Sequence, residues 1–342
     1  MKTFFSFLFS LGVLFADIPT VAIITTGGTI AEKTDPKTGA SIPASSGADM
    51  IESIPELKTL ANYKIVDFSN IDSSQMTPQM WAHLSQVIDD TLNKPGIIGA
   101  VITHGTDTMA EASFFLELTI KTDKPVVLVG AMKNSSDPYS DGPPNLVNGV
   151  IQVCSSKDYN WGVTVTMNQY INSARNVVKT QTTNVQTFES GEKGYLGYIY
   201  NKKVYQFNNR LKKLKLPIPN ELPRVDIVYD YAGSTGDFIR HAIDKKVDGI
   251  VVESVGAGNV NKDMYEAILE AIDHNIAVVI TTRVPHGNVF PAYGDEGGGS
   301  SLQKAGAVVI GDLPSAKARL LLMLALPLVK NNEELYQYFR KI

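Results

Sequence analysis

The segment IGAVITHGTDTMAEASFFLELTIKTDKPVVLVGAM, residues 98–132, places an apolar run, a helical stretch and a second apolar run in succession. The same alternation begins earlier, with PTVAIITT at residues 19–26 and PQMWAHLSQVIDDTL at residues 78–92. Continuous apolar strands separated by amphipathic helices are typical of a parallel sheet with helices on both faces. The sequence therefore predicts an α/β fold for this region.

A second α/β pattern follows a polar, proline-containing stretch. Apolar runs recur in VDIVYDYA, DGIVVESVGAG and AVVITTR, with helical patterns between them. The basic stretch NNRLKKLKLPIPNELPR before them opposes a packed element. We predict a larger N-terminal α/β domain with a parallel sheet over residues 17–207, a linker over 208–223, and a smaller C-terminal α/β domain over 224–342.

The N-terminal residues resemble an export signal. Residues 1–16 place one lysine before a short apolar run that ends in alanine, which is typical of a secretory signal peptide. We therefore expect a periplasmic or secreted protein. The only cysteine is Cys154, so no disulfide forms within the chain. No later segment has the roughly 18 apolar residues that a membrane-spanning helix needs.

Charge argues against a nucleic-acid partner. The chain has 342 residues, a formal net charge of -4 and no long block of lysine and arginine. Binding to nucleic acid depends on clustered cations that neutralise phosphates. We therefore expect a small-molecule ligand, and nothing in the sequence implies a metal or another cofactor.

Two polar clusters follow apolar strands, where ligands bind in open parallel sheets. TTGGTI, residues 25–30, combines hydroxyls with paired glycines, and THGTDT, residues 103–108, combines hydroxyls with a carboxylate. These groups suit a nucleophile and its partners. A tight turn and a helix N-cap are the simpler structural alternatives. His104 is expected to be a packed structural residue, and Lys179 is either a base or a surface lysine.

The chain resembles bacterial type II L-asparaginases over nearly the whole length that follows the apolar N-terminus. The similarity is carried by TTGGTIA, ITHGTDTM, KPVVLVGAM, DGPPNL, VVKTQTTNVQTF, GYLGYI and PSAKARLLLMLAL, in that order. The resemblance implies an amidohydrolase that converts L-asparagine to L-aspartate and ammonia. It implies Thr29 as the nucleophile that forms an acyl-enzyme, and Thr106, Asp107 and Lys179 as a second, threonine-centred triad.

The resemblance also implies how the substrate is held. Ser73 would bind the α-carboxylate, and Asp107 the α-amino group, with Ser74 beside them. Asn259 and Glu296 correspond to residues that a neighbouring subunit contributes. The implied assembly is a homotetramer with sites shared between subunits.

Three positions depart from the family pattern. Residues 32–49 contain no tyrosine, and Ile42 falls near the place of the loop tyrosine that, in the family, orients or activates the nucleophile. Ser74 replaces a glutamine or glutamate, and Glu32 replaces a glycine at the loop hinge. A lid that closes over a substrate needs a mobile hinge, so we predict slower closure of this loop.

Other functions remain open at this point. A dual glutaminase-asparaginase differs in substrate by one methylene, which pockets discriminate by only about 1–3 kcal/mol. An exported amino-acid-binding protein without turnover would need no paired threonines and lysine. The asparaginase-like subunit of a tRNA-dependent amidotransferase would need a cytosolic address and a further N-terminal domain.

Overall fold

The computed structural model describes residues 18–43, 46–156, 159, 161–209 and 214–342. The predicted signal peptide, residues 1–16, lies outside the described residues, as does part of the predicted linker. No helix in the described chain is long and apolar enough to cross a membrane.

The described chain alternates strands and helices, as the apolar runs predict. The strands are β1 (Thr20–Thr25), β2 (Glu32–Thr34), β3 (Ser41–Pro43), β4 (Asn62–Asp67), β5 (Ile97–Thr103), β6 (Val126–Val129), β7 (Val163–Met167), β8 (Tyr170–Ser173), β9 (Val178–Lys179), β10 (Phe188–Glu189), β11 (Gly197–Tyr200), β12 (Lys203–Gln206), β13 (Val225–Tyr229), β14 (Gly249–Ser254), β15 (Ala277–Thr282) and β16 (Val308–Val309). The α-helices are α1 (Gly47–Ser53), α2 (Pro78–Leu92), α3 (Met109–Thr119), α4 (Gly142–Cys154), α5 (Asp237–Asp244), α6 (Lys262–Asp273), α7 (Gly299–Ala305), α8 (Ser315–Ala325) and α9 (Asn332–Arg340).

Within the described residues, the larger sheet has eight strands in the order β12-β11-β8-β7-β6-β5-β1-β4. Strands β4, β1, β5, β6 and β7 run parallel, which confirms the predicted α/β class. Strands β8, β11 and β12 continue the sheet in antiparallel pairings, so the sheet is mixed. The cause is local: Asn168–Gln169 and Asn201–Lys202 have positive φ and close two-residue hairpins.

Both faces of β1 are buried, which explains its unbroken apolar sequence. Val21 and Ile23 pack on the side of α1 and α4, whereas Ala22 and Ile24 pack on the side of α2 and α3. Successive side chains of a strand point to opposite faces. An apolar residue at each position from Val21 to Ile24 is therefore what this central strand requires.

The smaller sheet is fully parallel, with the order β13-β14-β15-β16. Helix α8 lies between this sheet and α3 of the first domain. Phe114 of α3, Val251 of β14 and Leu321 of α8 belong to one buried apolar cluster. The two domains therefore share part of their core, and α8 is the element that joins them.

Candidate active site

The polar clusters meet at one edge of the larger sheet. In the strand register, Thr25 at the end of β1 lies beside Asp67 of β4 and Thr103 of β5, and Thr103 lies beside Val129 of β6. The chain passes from β1 to β4 on one side and then to β5 on the other. This reversal opens a crevice outside the strand ends, where ligands bind in such sheets.

Two glycines bring the loop after β1 against its neighbours. A Cβ on Gly28 would lie 2.6 Å from the backbone nitrogen of Gly105, and one on Gly27 would meet the backbone of Ile71. Their φ angles of +107° at Gly27 and +83° at Gly28 also favour glycine. Thr29 follows directly, half-buried, as the first residue of a short 3-10 helix.

The loop after β5 is packed on Ser73. A Cβ on Gly105 would lie 2.7 Å from the Cβ of Ser73, which is itself buried. The backbone N–H of Asp107 donates to Ser73 Oγ (3.1 Å), and Thr108 Oγ1 donates to the Ser73 carbonyl (2.8 Å). Ser73, Thr106 and Asp107 are therefore held as one group.

Lys179 joins this group from a distant part of the sequence. Its Nζ donates to Thr106 Oγ1 (3.0 Å) and to Asp107 Oδ1 (2.7 Å). The Asp107 side chain is 65% exposed, and an ion pair this open to water stabilises a fold by at most about 1 kcal/mol. The geometry therefore suits proton transfer at the Thr106 hydroxyl more than stabilisation.

The structure tests two structural interpretations of residues 103–108, a helix N-cap and a packed His104. The N-cap reading of the second cluster is wrong, because Thr108 stands at the cap of α3 without a side-chain cap bond. His104 is the packed structural residue that was expected. It is fully buried, and its Nδ1 donates to the Gly105 carbonyl (2.7 Å). Burial lowers the pKa of His104 to about 4, although the bond to Gly105 opposes this shift.

Three predicted substrate-binding residues stand apart from the group. Ser74 is exposed and accepts a long hydrogen bond from Gln75 Nε2 (3.4 Å). In the second domain, Asn259 Oδ1 accepts from the Gly299 N–H (3.3 Å), and Glu296 pairs with Lys262 (3.1 Å). In the described part of the chain, neither Asn259 nor Glu296 makes a hydrogen bond or ion pair with the residues at the first domain's strand ends.

The loop that lacks a tyrosine forms a hairpin of β2 and β3, here called the lid hairpin (residues 32–43). Ile42 pairs with Lys33 across it, and its side chain is 43% exposed. Glu32, by contrast, is buried, and its carbonyl accepts hydrogen bonds from the backbone and hydroxyl of Ser135 (3.2 and 2.7 Å). Position 32, where the family has the hinge glycine, is therefore well packed in this chain.

Sequence reasoning missed Thr108 and Asp67. Thr108 fixes the backbone of Ser73, and Asp67 Oδ1 accepts from Thr25 Oγ1 (2.8 Å) and from the Gly47 N–H that follows the lid hairpin (3.3 Å). Their position at strand ends was the only signal in the sequence, and it does not reveal a partner. Among the residues described, no group of three or more His, Cys, Asp or Glu side chains is arranged to hold a metal ion.

Comparison with known families decides the affiliation. The family model described as "Asparaginase, N-terminal" matches residues 20–212, and "Glutaminase/Asparaginase C-terminal domain" matches residues 224–339. The chain belongs to the asparaginase family. This confirms the resemblance and the predicted class of enzyme, an asparaginase-type amidohydrolase.

Members of the asparaginase family match along most of their length. L-asparaginase 2 of Escherichia coli is 38% identical over 95% of this chain and 93% of its own. A probable periplasmic L-asparaginase of Haemophilus influenzae is 38% identical over 97% of this chain and 96% of its own. The crystal structure of a probable cytoplasmic L-asparaginase from Campylobacter jejuni superposes with a TM-score of 0.87 at 39% identity, covering 95% of this chain and 100% of that one.

Proposed function

We propose that this asparaginase-family enzyme hydrolyses L-asparagine to L-aspartate and ammonia through an acyl-enzyme on Thr29. The observation that carries the proposal is the contact of Lys179 Nζ with both Thr106 and Asp107, on a loop packed directly against the glycines that precede Thr29. The loop next to Thr29 thus carries a hydroxyl and a carboxylate, and the amine of Lys179 in β9 bonds to both. Covalent catalysis divides one difficult hydrolysis into two easier steps.

In the first step, the Thr29 hydroxyl attacks the carbon of the side-chain amide. Its proton passes through the Thr106 hydroxyl and the Lys179 amine to the leaving nitrogen, and the C–N bond breaks to release ammonia. In the second step, water attacks the aspartyl ester and returns a proton to Thr29. Each atom is then accounted for as aspartate, ammonia and free enzyme.

Charge and hydrogen bonding support the proposed substrate contacts. Ser73, whose hydroxyl is buried at the crevice, would bind the α-carboxylate, and the exposed carboxylate of Asp107 would bind the α-ammonium. Ser74 is too short to reach as far as the glutamine or glutamate that it replaces. Recognition of the ammonium therefore depends more on Asp107 and Glu296.

Asn259 and Glu296 are proposed to complete the site of another subunit. Within one chain neither is bonded to the first-domain group, which supports this assignment. The second domain also exposes large aromatic side chains that a homotetramer would cover, namely Tyr229, Tyr231, Phe238, Phe290 and Tyr293. We propose a homotetramer with shared sites.

Export and the domain limits are also proposals. The apolar N-terminus supports removal of residues 1–16 and a periplasmic or secreted location, whereas the names of relatives include both periplasmic and cytoplasmic forms. The proline-rich composition of 208–223 supports a linker between domains 17–207 and 224–342. The expectation that this stretch does not pack is wrong at Leu216, which is buried and whose N–H donates to the Leu118 carbonyl (2.8 Å).

The test is ammonia release by the purified protein from asparagine and from glutamine, side by side. The Thr29→Ala variant is expected to lose turnover, whereas Thr59→Ala, an exposed threonine bonded only to the Glu56 carbonyl, keeps it. The ratio of the two kcat/KM values separates an asparaginase from a dual glutaminase-asparaginase. Tight binding of asparagine without ammonia release would instead indicate a binding protein.

A further inference from the structure

Lys317 is a buried lysine that connects the second domain to the segment carrying Lys179. It lies in the first turn of α8, and its side chain is only 2% exposed. Its Nζ donates to the carbonyls of Ala174 (2.8 Å), Arg175 (3.0 Å) and Val177 (2.6 Å). The last of these carbonyls lies two residues before Lys179.

The three acceptors match the three N–H donors of an ammonium, whereas a neutral amine has only two. The Phe114 ring lies 5.7 Å from Nζ and adds a favourable cation–π contact. Burial and the nearby Arg175 lower the pKa of Lys317 well below its ordinary value, whereas the three carbonyls and the ring favour the charged form. Burying a lysine costs free energy unless its donors are bonded. A buried lysine whose three N–H groups all bond to one turn therefore indicates a role in holding that turn.

The segment held by Lys317 is also anchored by the buried side chains of Ala174 and Val177 and by the Ala174 N–H, which donates to the Val163 carbonyl (3.3 Å). The N–H groups of Asn176 and Val177 bond back to Ser173, which leaves the carbonyls of the turn for Lys317. Beyond the turn, β9 has only two residues, Val178 and Lys179, paired with β10. The position of Lys179 therefore depends on how this turn is held.

A second side chain of the same domain contacts the turn. Asp312, shortly before α8, forms an ion pair with Arg175 and another with Lys193 (2.9 Å). Both contacts cross from the second domain to the first. The turn is thus held on its buried side by Lys317 and on its outer side by Asp312.

We infer that Lys317 is a positioning residue, through which the second domain holds Lys179 against Thr106 and Asp107. The inference rests on the proposed role of Lys179 in catalysis. The sequence shows Lys317 only as a lysine in an otherwise apolar helical run, PSAKARLLLMLAL, and does not reveal its partners. Lys317 contacts no reacting group itself and acts only through the turn.

The experiment compares Lys317→Met with Arg319→Met, both in the full-length protein. Arg319 lies on the same helix and donates to a backbone carbonyl, that of Val225 in the second domain itself (2.8 Å). We expect Lys317→Met to lower kcat for asparagine by at least about tenfold while KM changes less than about threefold, because small displacements of catalytic groups reduce the chemical step. Arg319→Met is expected to retain both values.

A double-mutant cycle shows whether the effect passes through Lys179. In a Lys179→Met background, Lys317→Met is expected to cause no further loss of the residual kcat. A folded Lys317→Met enzyme with unchanged kcat, or the same fractional loss with and without Lys179, would overturn the inference. Full activity of Lys179→Met alone would instead refute the proposed role of Lys179.

Asp312→Asn provides a second variant if Lys317→Met does not fold, because Asp312 is partly exposed. It weakens the outer contact with Arg175 and leaves Lys317 in place. We expect a lower kcat with unchanged KM, again abolished in the Lys179→Met background. Wild-type kcat in folded Asp312→Asn would overturn the inference in that case.

Discussion

At the scale of single residues, the site combines a group that matches the asparaginase family with a lid hairpin that departs from it. Thr106, Asp107 and Lys179 are joined by hydrogen bonds, and Thr29 stands at the adjoining loop. Ile42, in place of the loop tyrosine, offers no hydroxyl. We expect this departure to affect the orientation of the proposed nucleophile, Thr29, and not the lysine-centred group.

Restoring an aromatic hydroxyl at Ile42 tests this separation. We expect Ile42→Tyr to raise kcat by about tenfold, since a positioned hydroxyl assists proton transfer by about that much or more. Ile42→Phe is the matched control, with the same ring and no hydroxyl, and it is expected to leave kcat unchanged. Equal kcat values for the two variants would show that a hydroxyl at position 42 does not assist the reaction. Steady-state ammonia release measures both.

His104 makes folding stability depend on pH. Its pKa is about 4 in the folded protein and about 6.5 when unfolded. As pH falls below 6.5, the unfolded chain binds the proton first, so the free energy of unfolding decreases between pH 6.5 and 4. At about 1.4 kcal/mol per pKa unit, the loss approaches about 3 kcal/mol.

Urea unfolding at pH 7 and pH 4.5 measures this dependence. His104→Asn retains an N–H donor for the Gly105 carbonyl and removes the titrating ring. We expect a clearly smaller pH dependence in this variant at equal protein concentration. An unchanged dependence would assign the acid lability to other groups.

At the scale of elements, the loops after β1 and β5 pack without room for side chains. We expect Gly28→Ala to destabilise the protein by about 3 kcal/mol, because it combines a positive φ with a clash against the Gly105 backbone. It should also lower kcat, since the displaced loop carries Thr106 and Asp107. Denaturant unfolding and ammonia release measure the two effects.

Gly39→Ala is the matched control for this prediction. Gly39 lies in the turn of the lid hairpin with φ +71° and nothing within 4 Å of an added Cβ. We expect a loss of only about 1 kcal/mol, from backbone strain alone. A similar loss in both variants would mean that contact with Gly105 contributes nothing.

Element order was largely predictable, because continuous apolar runs such as that of β1 require two covered faces. The direction of the strands after β7 was not predictable, because the turns at Asn168–Gln169 and Asn201–Lys202 lack the glycine that usually marks such hairpins. Polar clusters at strand ends predicted a shared edge. The contact of Lys179 with Thr106, 73 residues away, came only from the family resemblance, because spacing along a chain does not determine a distance in space.

At the scale of the whole molecule, the two domains depend on each other. They share apolar core residues around α8, and Lys317 and Asp312 reach across to the turn that precedes Lys179. Asn259 and Glu296 lie in the second domain and make no bond to the strand-end group of their own chain. The second domain therefore supports the site of its own chain and is proposed to complete that of another.

Subunit complementation tests the shared site. Thr29→Ala and Asn259→Ala are each expected to show strongly reduced activity as pure oligomers. When the two are unfolded, mixed and refolded together, some sites combine wild-type Thr29 with wild-type Asn259, and activity is expected to recover partly. Refolding each variant separately is the control. No recovery in mixed oligomers would place Asn259 in the site of its own chain.

The central claim is that Thr29 carries the acyl group. The direct measurement is mass spectrometry of peptides from enzyme that is acid-quenched during turnover of asparagine. The account predicts an aspartyl ester on the peptide containing Thr29, absent from Thr29→Ala. An ester on the peptide containing Thr106, or full turnover by Thr29→Ala, would contradict it.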